Sequence, residues 1–307
     1  MAGLKWVTYD AGEGPRAGVV REDVVFDAAG LTGQASDATM LGILADWDAA
    51  SARIAKAAAA ADAAKGRPLG QCRLLAPVPL PSTIYCAGSN YGDHAAEMAK
   101  AHNRAPEPDP KSQGAQPWHF IKAPHAVADP NAVIRIPPYV TMLDWEVELA
   151  AVIGRPAKDI PVDKALDCVA GYTIANDLSA RNMSRRPNLP DTSAFKADWL
   201  SHKSFDGSCP LGPWMVAASD IPDPQALGLK LWVNDVIKQD SNTHWMIFNL
   251  AEQIAHLSSR ITLHPGDLVL TGTPSGVGMS RKEFLKPGDT VKLWIEGIGT
   301  LTNSFTG

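Results

Sequence analysis

The 307-residue sequence has few cysteines, no long apolar run and no basic block, and each absence excludes a class of protein. Its four cysteines are far apart and form no C-x-x-C pair, a pattern that suits a reducing compartment better than a disulfide-rich secreted domain. No stretch reaches the roughly 18 apolar residues of a membrane span, and residues 1–20 lack the apolar core of a secretion signal. Lys and Arg number 28 against 33 Asp and Glu, which argues against nucleic acid as a partner. We therefore expect a cytoplasmic protein that binds neither membranes nor nucleic acid.

Glycine and proline, in contrast, are abundant, with 25 and 24 residues. Together they make up about 16% of the chain, where roughly 12% is typical. Turn residues at this density favour short strands joined by turns. Hydrophobic residues account for 45% and charged residues for 20%, values near those of ordinary folded proteins. The length exceeds what one hydrophobic core usually needs, so we expect one large and one smaller domain.

The patterning changes along the chain and places a domain boundary near residue 72. Residues 1–30 alternate in the manner of short strands, and residues 40–65 have apolar residues at helical spacing. The helical positions predicted to face the core are Leu41, Leu44, Ile54 and Ala58. A Pro-rich segment over 66–83 is typical of a connection between domains. We predict a small N-terminal α/β domain over 1–72 and a larger domain over 73–307.

Short apolar strands separated by turns fill the larger domain. They are predicted at 149–153, 172–175, 229–233, 268–271 and 291–295. A Pro-Gly-Asp sequence precedes each of the last two strands. It predicts a turn, since Pro sets the φ of one central residue and Gly accepts a positive φ at the next. One helix is predicted over 246–259. The pattern indicates a β-rich α+β fold with antiparallel pairing.

The sharpest local feature is the acidic strand DWEVELAAVIG at 144–154. Side chains alternate along a strand, so Asp144, Glu146 and Glu148 are predicted to share one face. A row of carboxylates is unfavourable unless water or a cation neutralises it. The motif alone is compatible with a solvated edge strand and with a divalent-metal site.

A second acidic residue, Asp177, follows an apolar strand in GYTIANDLSAR at 171–181. With Glu146 and Glu148 it would supply three carboxylate ligands, a set that Mg²⁺ or Mn²⁺ prefers. Zinc is disfavoured because no His/Cys cluster has suitable spacing. The structural alternative for Asp177 is an Asx turn or a helix N-cap.

Further candidates lie in GSNYGDHAAEM, FIKAP and HKSFDG. If a helix begins near residue 93, His94 and Glu97 are one turn apart and could form a general base towards water, although such pairs are common on surfaces. Lys122 and Lys203 have apolar neighbours and could receive a carboxylate or a developing enolate, or could extend to solvent. The Gly-rich loop TGTPSGVG at 271–278 could hold a small anion through its backbone amides.

Taken in order, these segments resemble the fumarylacetoacetate hydrolase family, in its acylpyruvase-like branch. The resemblance extends from about residue 78 to the C-terminus. It rests on SNYGDHAAEM, FIKAP, DWEVELAAVIG, GYTIANDLSAR, HKSFDGSCPLGPW, MIFNLAEQIAHLS and LHPGDLVLTGTPSGVG. It implies a β-rich catalytic domain of the mixed β-sandwich or β-roll type, a homodimer, and Mg²⁺ or Mn²⁺ bound by Glu146, Glu148 and Asp177.

The resemblance also implies a reaction and the residues that perform it. The reaction is metal-dependent hydrolysis of a carbon–carbon bond in an acylpyruvate or related 2,4-diketo acid, which releases pyruvate and a carboxylic acid. Alternatives are an oxaloacetate-type decarboxylase or a 2-oxo-dienoate hydratase or isomerase on the same scaffold, and a catalytically silent metal-binding protein. The implied catalytic residues are His94, Glu97 and Lys203, and the implied substrate-binding residues are Lys122, Arg181 and Thr273.

Two features depart from the family pattern. Asn182 and Ser184 follow Ala-Arg where many relatives have an acidic residue and a Gln, which affects the expected substrate choice. The Pro-rich lid segment over 103–119 is longer than expected. We expect it to shape access to the site and to accommodate a larger acyl group.

Overall fold

The structure is a computed structural model that describes residues 3–101, 103–105 and 108–307. In these residues the strands are β1 (Lys5–Asp10), β2 (Pro15–Arg21), β3 (Val24–Asp27), β4 (Arg67–Pro68), β5 (Leu74–Leu75), β6 (Ile84–Ala87), β7 (His119–Lys122), β8 (Val127–Ala128), β9 (Val133–Arg135), β10 (Leu143–Asp144), β11 (Val147–Ile153), β12 (Val169–Asn176), β13 (Ser179–Ala180), β14 (Cys209–Ala217), β15 (Gly228–Val233), β16 (Val236–Asn242), β17 (Leu268–Leu270), β18 (Thr290–Ile295) and β19 (Gly299–Thr306). The α-helices are α1 (Ala28–Thr32), α2 (Met40–Leu44), α3 (Trp47–Ala60), α4 (Gly92–Ala101), α5 (Trp199–Lys203), α6 (Leu250–Arg260) and α7 (Gly278–Arg281). Within the described ranges, no helix is both long and apolar enough to cross a bilayer.

Two large sheets organise the chain. The first runs in the order β4-β3-β2-β1-β14-β12-β11-β17-β6-β7, with β5 beside β1 and β8 beside β14. The second has the order β16-β15-β18-β19-β9. Most pairs are antiparallel, whereas β17 with β6, β14 with β8 and β19 with β9 are parallel. The predicted β-rich α+β fold class is confirmed.

The N-terminal strands continue the first sheet. Strand β1 pairs antiparallel with β14, and Trp6 lies opposite Met215. One hydrophobic cluster contains Trp6 and Trp47 together with Ile84, Val152 and Leu268 of the larger region. Side chains from both regions therefore share one core, and the predicted domain boundary stays a prediction.

The two Pro-Gly-Asp turns have the predicted conformation. Gly266 has φ +88° and Gly288 has φ +94°, the left-handed region that glycine adopts without steric cost. The carboxylate of Asp267 accepts a hydrogen bond from the His264 amide at 2.8 Å. Each turn leads directly into a strand, β17 or β18.

The helix predicted over 40–65 is two helices. Asp46 has non-helical backbone angles of φ −139° and ψ 55°, so α2 ends and α3 begins with a new orientation. Leu41, which the single-helix register places in the core, is 38% exposed, and Ile43 is buried in its stead.

The second predicted helix starts later than expected. It begins at Leu250, because Asn249 and Glu252 form a reciprocal capping box. Each of these side chains binds the other residue's backbone amide, which satisfies donors that the first turn leaves free.

Candidate metal-binding active site

Three buried carboxylates meet where β11 and β12 lie side by side. Glu146 precedes β11, Glu148 is within it, and Asp177 directly follows β12, whose Asn176 pairs with Val147. One oxygen from each of these carboxylates lies within 4.8 Å of the other two. The three residues are 6%, 1% and 1% exposed, so the alternative of a solvated acidic edge is wrong for them.

Asp144 is not part of this cluster, although its carboxylate and that of Glu146 both bind the Arg181 guanidinium. Strand β10 ends at Asp144 and β11 starts only at Val147, so the three carboxylates do not lie on one continuous strand and their predicted shared face stays a prediction. The Asp144 carboxylate accepts hydrogen bonds from the Gly278 amide at 2.6 Å and from Arg181 Nε at 2.8 Å. It fixes the start of α7 and the guanidinium of Arg181.

Basic side chains neutralise two of the three acids. Lys203 Nζ lies 2.9 Å from Glu146 Oε2 and 2.7 Å from Asp177 Oδ2. Lys122 Nζ lies 2.7 Å from Asp177 Oδ1, and the Arg181 guanidinium binds Glu146. Both lysines are buried, so the alternative of lysines extending to solvent is wrong.

Glu148 has no such partner among the described residues. It accepts one hydrogen bond, from the Gly272 amide to Oε2 at 2.8 Å. Burial, together with the neighbouring carboxylates of Asp177 and Glu146, raises the pKa of Glu148 well above its ordinary value. Burial also raises the pKa of Glu146, but the charges of Lys203 and Arg181 outweigh it and lower that pKa below its ordinary value. The negative charge of an ionised Glu148 is therefore not neutralised by a basic side chain among the described residues.

The donor set fits a divalent cation. Three carboxylates without His or Cys are the ligands of hard cations such as Mg²⁺ and Mn²⁺. A cation beside Glu148 would remove the repulsion that raises the pKa of this residue.

His94 and Glu97 lie one turn apart on α4, as predicted. His94 Nδ1 is 3.8 Å from Glu97 Oε2 and has no hydrogen-bond partner among the residues described. The Gly276 amide donates to Glu97 Oε2 at 2.8 Å and fixes this carboxylate. Burial alone would raise the pKa of Glu97. The His94 side chain and the Gly276 amide outweigh this effect, and the pKa of Glu97 is lowered below its ordinary value.

The Gly-rich loop binds anions that belong to the protein itself. Its amides at 272, 276 and 278 donate to the carboxylates of Glu148, Glu97 and Asp144. Thr273 Oγ1 donates to the Val147 carbonyl at 3.0 Å. The loop therefore positions acidic side chains, and these amides are not available to a free anion.

A cavity of about 100 Å³ opens onto these groups. Six of the predicted site residues line it: His94, Glu146, Glu148, Arg181, Lys203 and Thr273. Glu97 and Asp177 contact residues that do, and Lys122 is bound to Asp177. The structure thus brings all nine together, while their individual roles stay predictions.

Aromatic residues that the sequence reasoning missed form another wall of the cavity. The Trp199 ring lies 5.4 Å from that of Trp118 and 5.2 Å from that of Phe120, between centroids. His202 joins them, and burial, with the charges of Lys203 and Arg181, lowers its pKa to about 3. Their nearness in sequence to Lys122 and Lys203 was the available signal.

The two residues that depart from the family pattern form side-chain hydrogen bonds with backbone groups. Asn182 Oδ1 accepts from the amides of Thr141 and Met142 at 3.1 and 3.2 Å. Ser184 Oγ donates to the Arg181 carbonyl at 2.8 Å. Neither is among the described residues that line the cavity.

The β-rich α+β fold holds a buried acidic triad beside two lysines, and the donor atoms of this site suit a divalent cation. The chain matches the family described as "Fumarylacetoacetate (FAA) hydrolase C-terminal" over residues 83–306. It belongs to the fumarylacetoacetate hydrolase family.

Members of the family with different activities are similar to this chain. The mitochondrial oxaloacetate tautomerase fahd2 of Xenopus laevis is 42% identical over 232 residues, 75% of this chain and 67% of that protein. The structure of 5-carboxymethyl-2-hydroxymuconate delta-isomerase from Mycobacterium smegmatis has a TM-score of 0.73 at 32% identity and covers 98% of both chains. Maleylpyruvate hydrolase from Sphingobium sp. SYK-6, in complex with manganese(II) and pyruvate, has a TM-score of 0.74 at 29% identity, also covering 98% of both.

Proposed function

We propose that the protein is a metal-dependent hydrolase of the carbon–carbon bond in acylpyruvates or related 2,4-diketo acids. The observation that carries the proposal is the His94–Glu97 pair beside the acidic triad. A histidine whose ring faces a fixed carboxylate is suited to take a proton from water. The similarity to a maleylpyruvate hydrolase supports the same reaction class.

Glu146, Glu148 and Asp177 would hold Mg²⁺ or Mn²⁺. When bound, the ion would act as a Lewis acid towards the keto acid end of the substrate. The manganese in the similar hydrolase structure supports a divalent ion, and the oxygen donor set suits either metal.

The chain's own residues account for the other steps. Glu97 faces His94 Nδ1, which leaves Nε2 to accept the proton as water adds to the distal carbonyl carbon. The carbon–carbon bond then breaks, and its electron pair stays with the pyruvate enolate. Lys203 and Arg181 supply positive charge towards that enolate, and a proton returned to the enolate carbon completes pyruvate.

A second candidate is tautomerisation or isomerisation of a 2-oxo acid, and the similarity to an oxaloacetate tautomerase and to an isomerase favours it. These reactions, like oxaloacetate decarboxylation, pass through the same enolate. They need the lysines and the acids but no activated water.

The test is a panel of acylpyruvates and oxaloacetate, assayed with Mg²⁺, with Mn²⁺ and with a chelator. We expect chelator-sensitive release of pyruvate from the acylpyruvates. Tautomerisation of oxaloacetate without cleavage of any diketo acid would favour the second candidate. No turnover of any of these compounds would contradict both.

Two variants separate the roles of the residues. Glu146→Ala is expected to abolish metal binding, measured by calorimetry with Mn²⁺. His94→Ala should bind the metal with unchanged affinity and lose hydrolysis by about 10²- to 10⁴-fold. Equal metal affinity of the wild type and Glu146→Ala would contradict the ligand assignment.

We also propose a homodimer, as the family resemblance implies. Large apolar side chains at Phe195, Trp199 and Leu200 are exposed on one chain, which supports a surface that a partner covers. Sedimentation should give twice the 32.7 kDa of one chain, and a monomer at micromolar concentration would contradict it.

A further inference from the structure

A second cavity, of about 320 Å³, opens beside the catalytic cavity and beneath the lid segment. The two cavities share four lining residues: Ala87, Gly88, Ser89 and Trp118. A ligand that enters the catalytic cavity can therefore extend into the second one.

The volumes of the two cavities indicate which part of a substrate each one can hold. The catalytic cavity of about 100 Å³ is well below the roughly 300 Å³ of a small ligand pocket, so we assign to it only the keto acid end of a substrate. The second cavity, at about 320 Å³, falls within the range of ligand pockets, which begins at roughly 300 Å³. Of the described cavities, the second one adjoins the catalytic cavity. It therefore offers space for the remainder of a larger substrate.

The second cavity is lined mainly by apolar residues, together with the neutral polar residues Ser89, Asn90 and Gln116. Its walls include Pro108, Pro110, Pro117, Ile247 and Phe248. None of the described residues that line it is acidic or basic.

The buried amide of the lining and the lysine next to it are already paired. Asn90 Nδ2 donates to the carbonyls of Thr271 and Phe248. Lys111 Nζ lies 5.3 Å from the Phe248 ring centroid, but it is paired with both carboxylate oxygens of Glu252. A carboxylate at the far end of a substrate would therefore find no free cation among these groups.

We propose that this second cavity is an acyl pocket that selects substrates with an apolar acyl group, aryl or branched alkyl, over substrates that end in a carboxylate. The inference rests on the proposed function, because it places the keto acid end against Glu146 and Glu148. It assigns to the lid segment the choice between substrates.

Binding to non-cleavable 2-oxo acids tests the acyl pocket without catalysis. The probes are pyruvate, 4-phenyl-2-oxobutanoate and 2-oxoglutarate, measured by calorimetry with Mn²⁺ present. Because a buried phenyl group gains free energy in proportion to the apolar surface removed from water, the phenyl compound should bind at least about tenfold more tightly than 2-oxoglutarate. Equal affinities, or tighter binding of 2-oxoglutarate, would overturn the proposal.

A filling variant locates the effect. Ala115 is exposed in the lid segment and lines the acyl pocket, so Ala115→Trp should remove most of the phenyl advantage and leave pyruvate binding within about twofold. The matched control is Ala105→Trp, at an exposed position of the same segment outside the lining, which should keep the advantage. Loss of the advantage in both variants, or in neither, would contradict the location.

A second variant keeps the test decisive if Ala115→Trp does not fold. Phe248→Ala removes an apolar wall and should weaken binding of the phenyl compound several-fold more than binding of pyruvate.

A parallel assay with acetylpyruvate and benzoylpyruvate separates the two proposals. Absence of turnover with both compounds counts against the proposed function, whereas lack of phenyl preference in binding counts against the acyl pocket.

Discussion

Gly276 occupies a position that requires glycine, and the catalytic pair depends on it. Its φ is +101°, and a Cβ there would collide with the backbone carbonyl of Lys238. Its amide fixes Glu97, and its carbonyl accepts from Trp145 Nε1 at 3.1 Å. The residue joins the loop, α4 and the strand that carries the acids.

Gly276→Ala should therefore lower both stability and activity. The positive φ alone costs about 1–3 kcal/mol, and the collision must also shift the backbone that holds Glu97. We expect a clear decrease in the unfolding midpoint in urea and a loss of turnover with metal affinity largely retained.

Gly12→Ala is the matched control for backbone strain. Gly12 has a similar φ of +91° but nothing within 4 Å of a Cβ, so its substitution should cost stability without affecting turnover. If the two variants lose the same stability and both keep full activity, the role assigned to Gly276 is wrong.

At this scale the sequence predicted which residue types form the site, but not their arrangement. The alternation rule placed Asp144 with Glu146, and both bind Arg181, but it could not show that Asp144 lies outside the acidic triad. Local spacing also cannot bring Asp177 to Glu148, since the pairing of β11 with β12 is a long-range contact. The family resemblance, carried by several motifs together, supplied that connection.

Glu252 links two elements, the lid segment and α6. Its side chain accepts from the Asn249 amide at 2.7 Å in the capping box, and its oxygens lie 2.8 and 2.7 Å from Lys111 Nζ. One carboxylate therefore both starts the helix and ties the lid segment to it.

Glu252→Gln should separate these two roles. Gln can replace Glu in a capping box, but it loses the ion pair, which is worth about 0.2–1 kcal/mol at a solvent-exposed site. Hydrogen exchange should therefore increase by up to about fivefold in the segment around Lys111 and stay unchanged in α6. Equal acceleration in both elements would show that the cap, and not the ion pair, had failed.

Asp37 joins the short N-terminal helices through a buried ion pair. Its carboxylate binds the Arg53 guanidinium and accepts from Thr32 Oγ1 at 2.6 Å. The Arg53 hydrogen bond lowers the pKa of Asp37 below its ordinary value, against the opposing effect of burial. A carboxyl group whose pKa is lower in the folded chain stabilises the fold above its unfolded pKa, and this contribution is lost as the pH falls through the folded pKa.

Asp37→Asn should thus destabilise the protein at pH 7 by about 3 kcal/mol, the cost of breaking a buried pair. The difference from the wild type should shrink below about pH 4. Asp46→Asn is the control, because Asp46 also faces Arg53, at 3.8 Å, but is mostly exposed, and its loss should cost less than about 1 kcal/mol. Thermal unfolding at pH 3 and pH 7 measures both, and a difference that grows in acid would contradict the assignment.

Element types were predictable where the pattern is local. Apolar runs bounded by turn residues predicted β12, β15 and β18 to within a few residues. The break between α2 and α3 was not predictable, because Ala-rich sequence favours helix throughout and the packing of Trp47 against Trp6, with ring centroids 4.8 Å apart, is a tertiary contact.

Across the whole molecule, the site and the N-terminal region share one sheet. Strand β14 pairs with β1 on one side and with β12, which leads to Asp177, on the other. The sequence suggested two domains because the composition changes near residue 72, but strand pairing between distant segments leaves no trace in local patterning. A continuous sheet and a shared cluster predict that the two regions unfold together.

Trp6→Ala tests this cooperativity. Trp6 is 3% exposed, and truncation of a buried Trp costs about 3–5 kcal/mol. In urea, far-UV circular dichroism and Mn²⁺ affinity should be lost in one coincident transition in the wild type, and both should shift to the same lower midpoint in the variant. Tyr139→Ala is the control, because Tyr139 is 54% exposed and its truncation should leave the midpoint nearly unchanged. A Trp6→Ala protein that loses part of its circular dichroism first and binds Mn²⁺ with normal affinity would show that the N-terminal region is an independent domain.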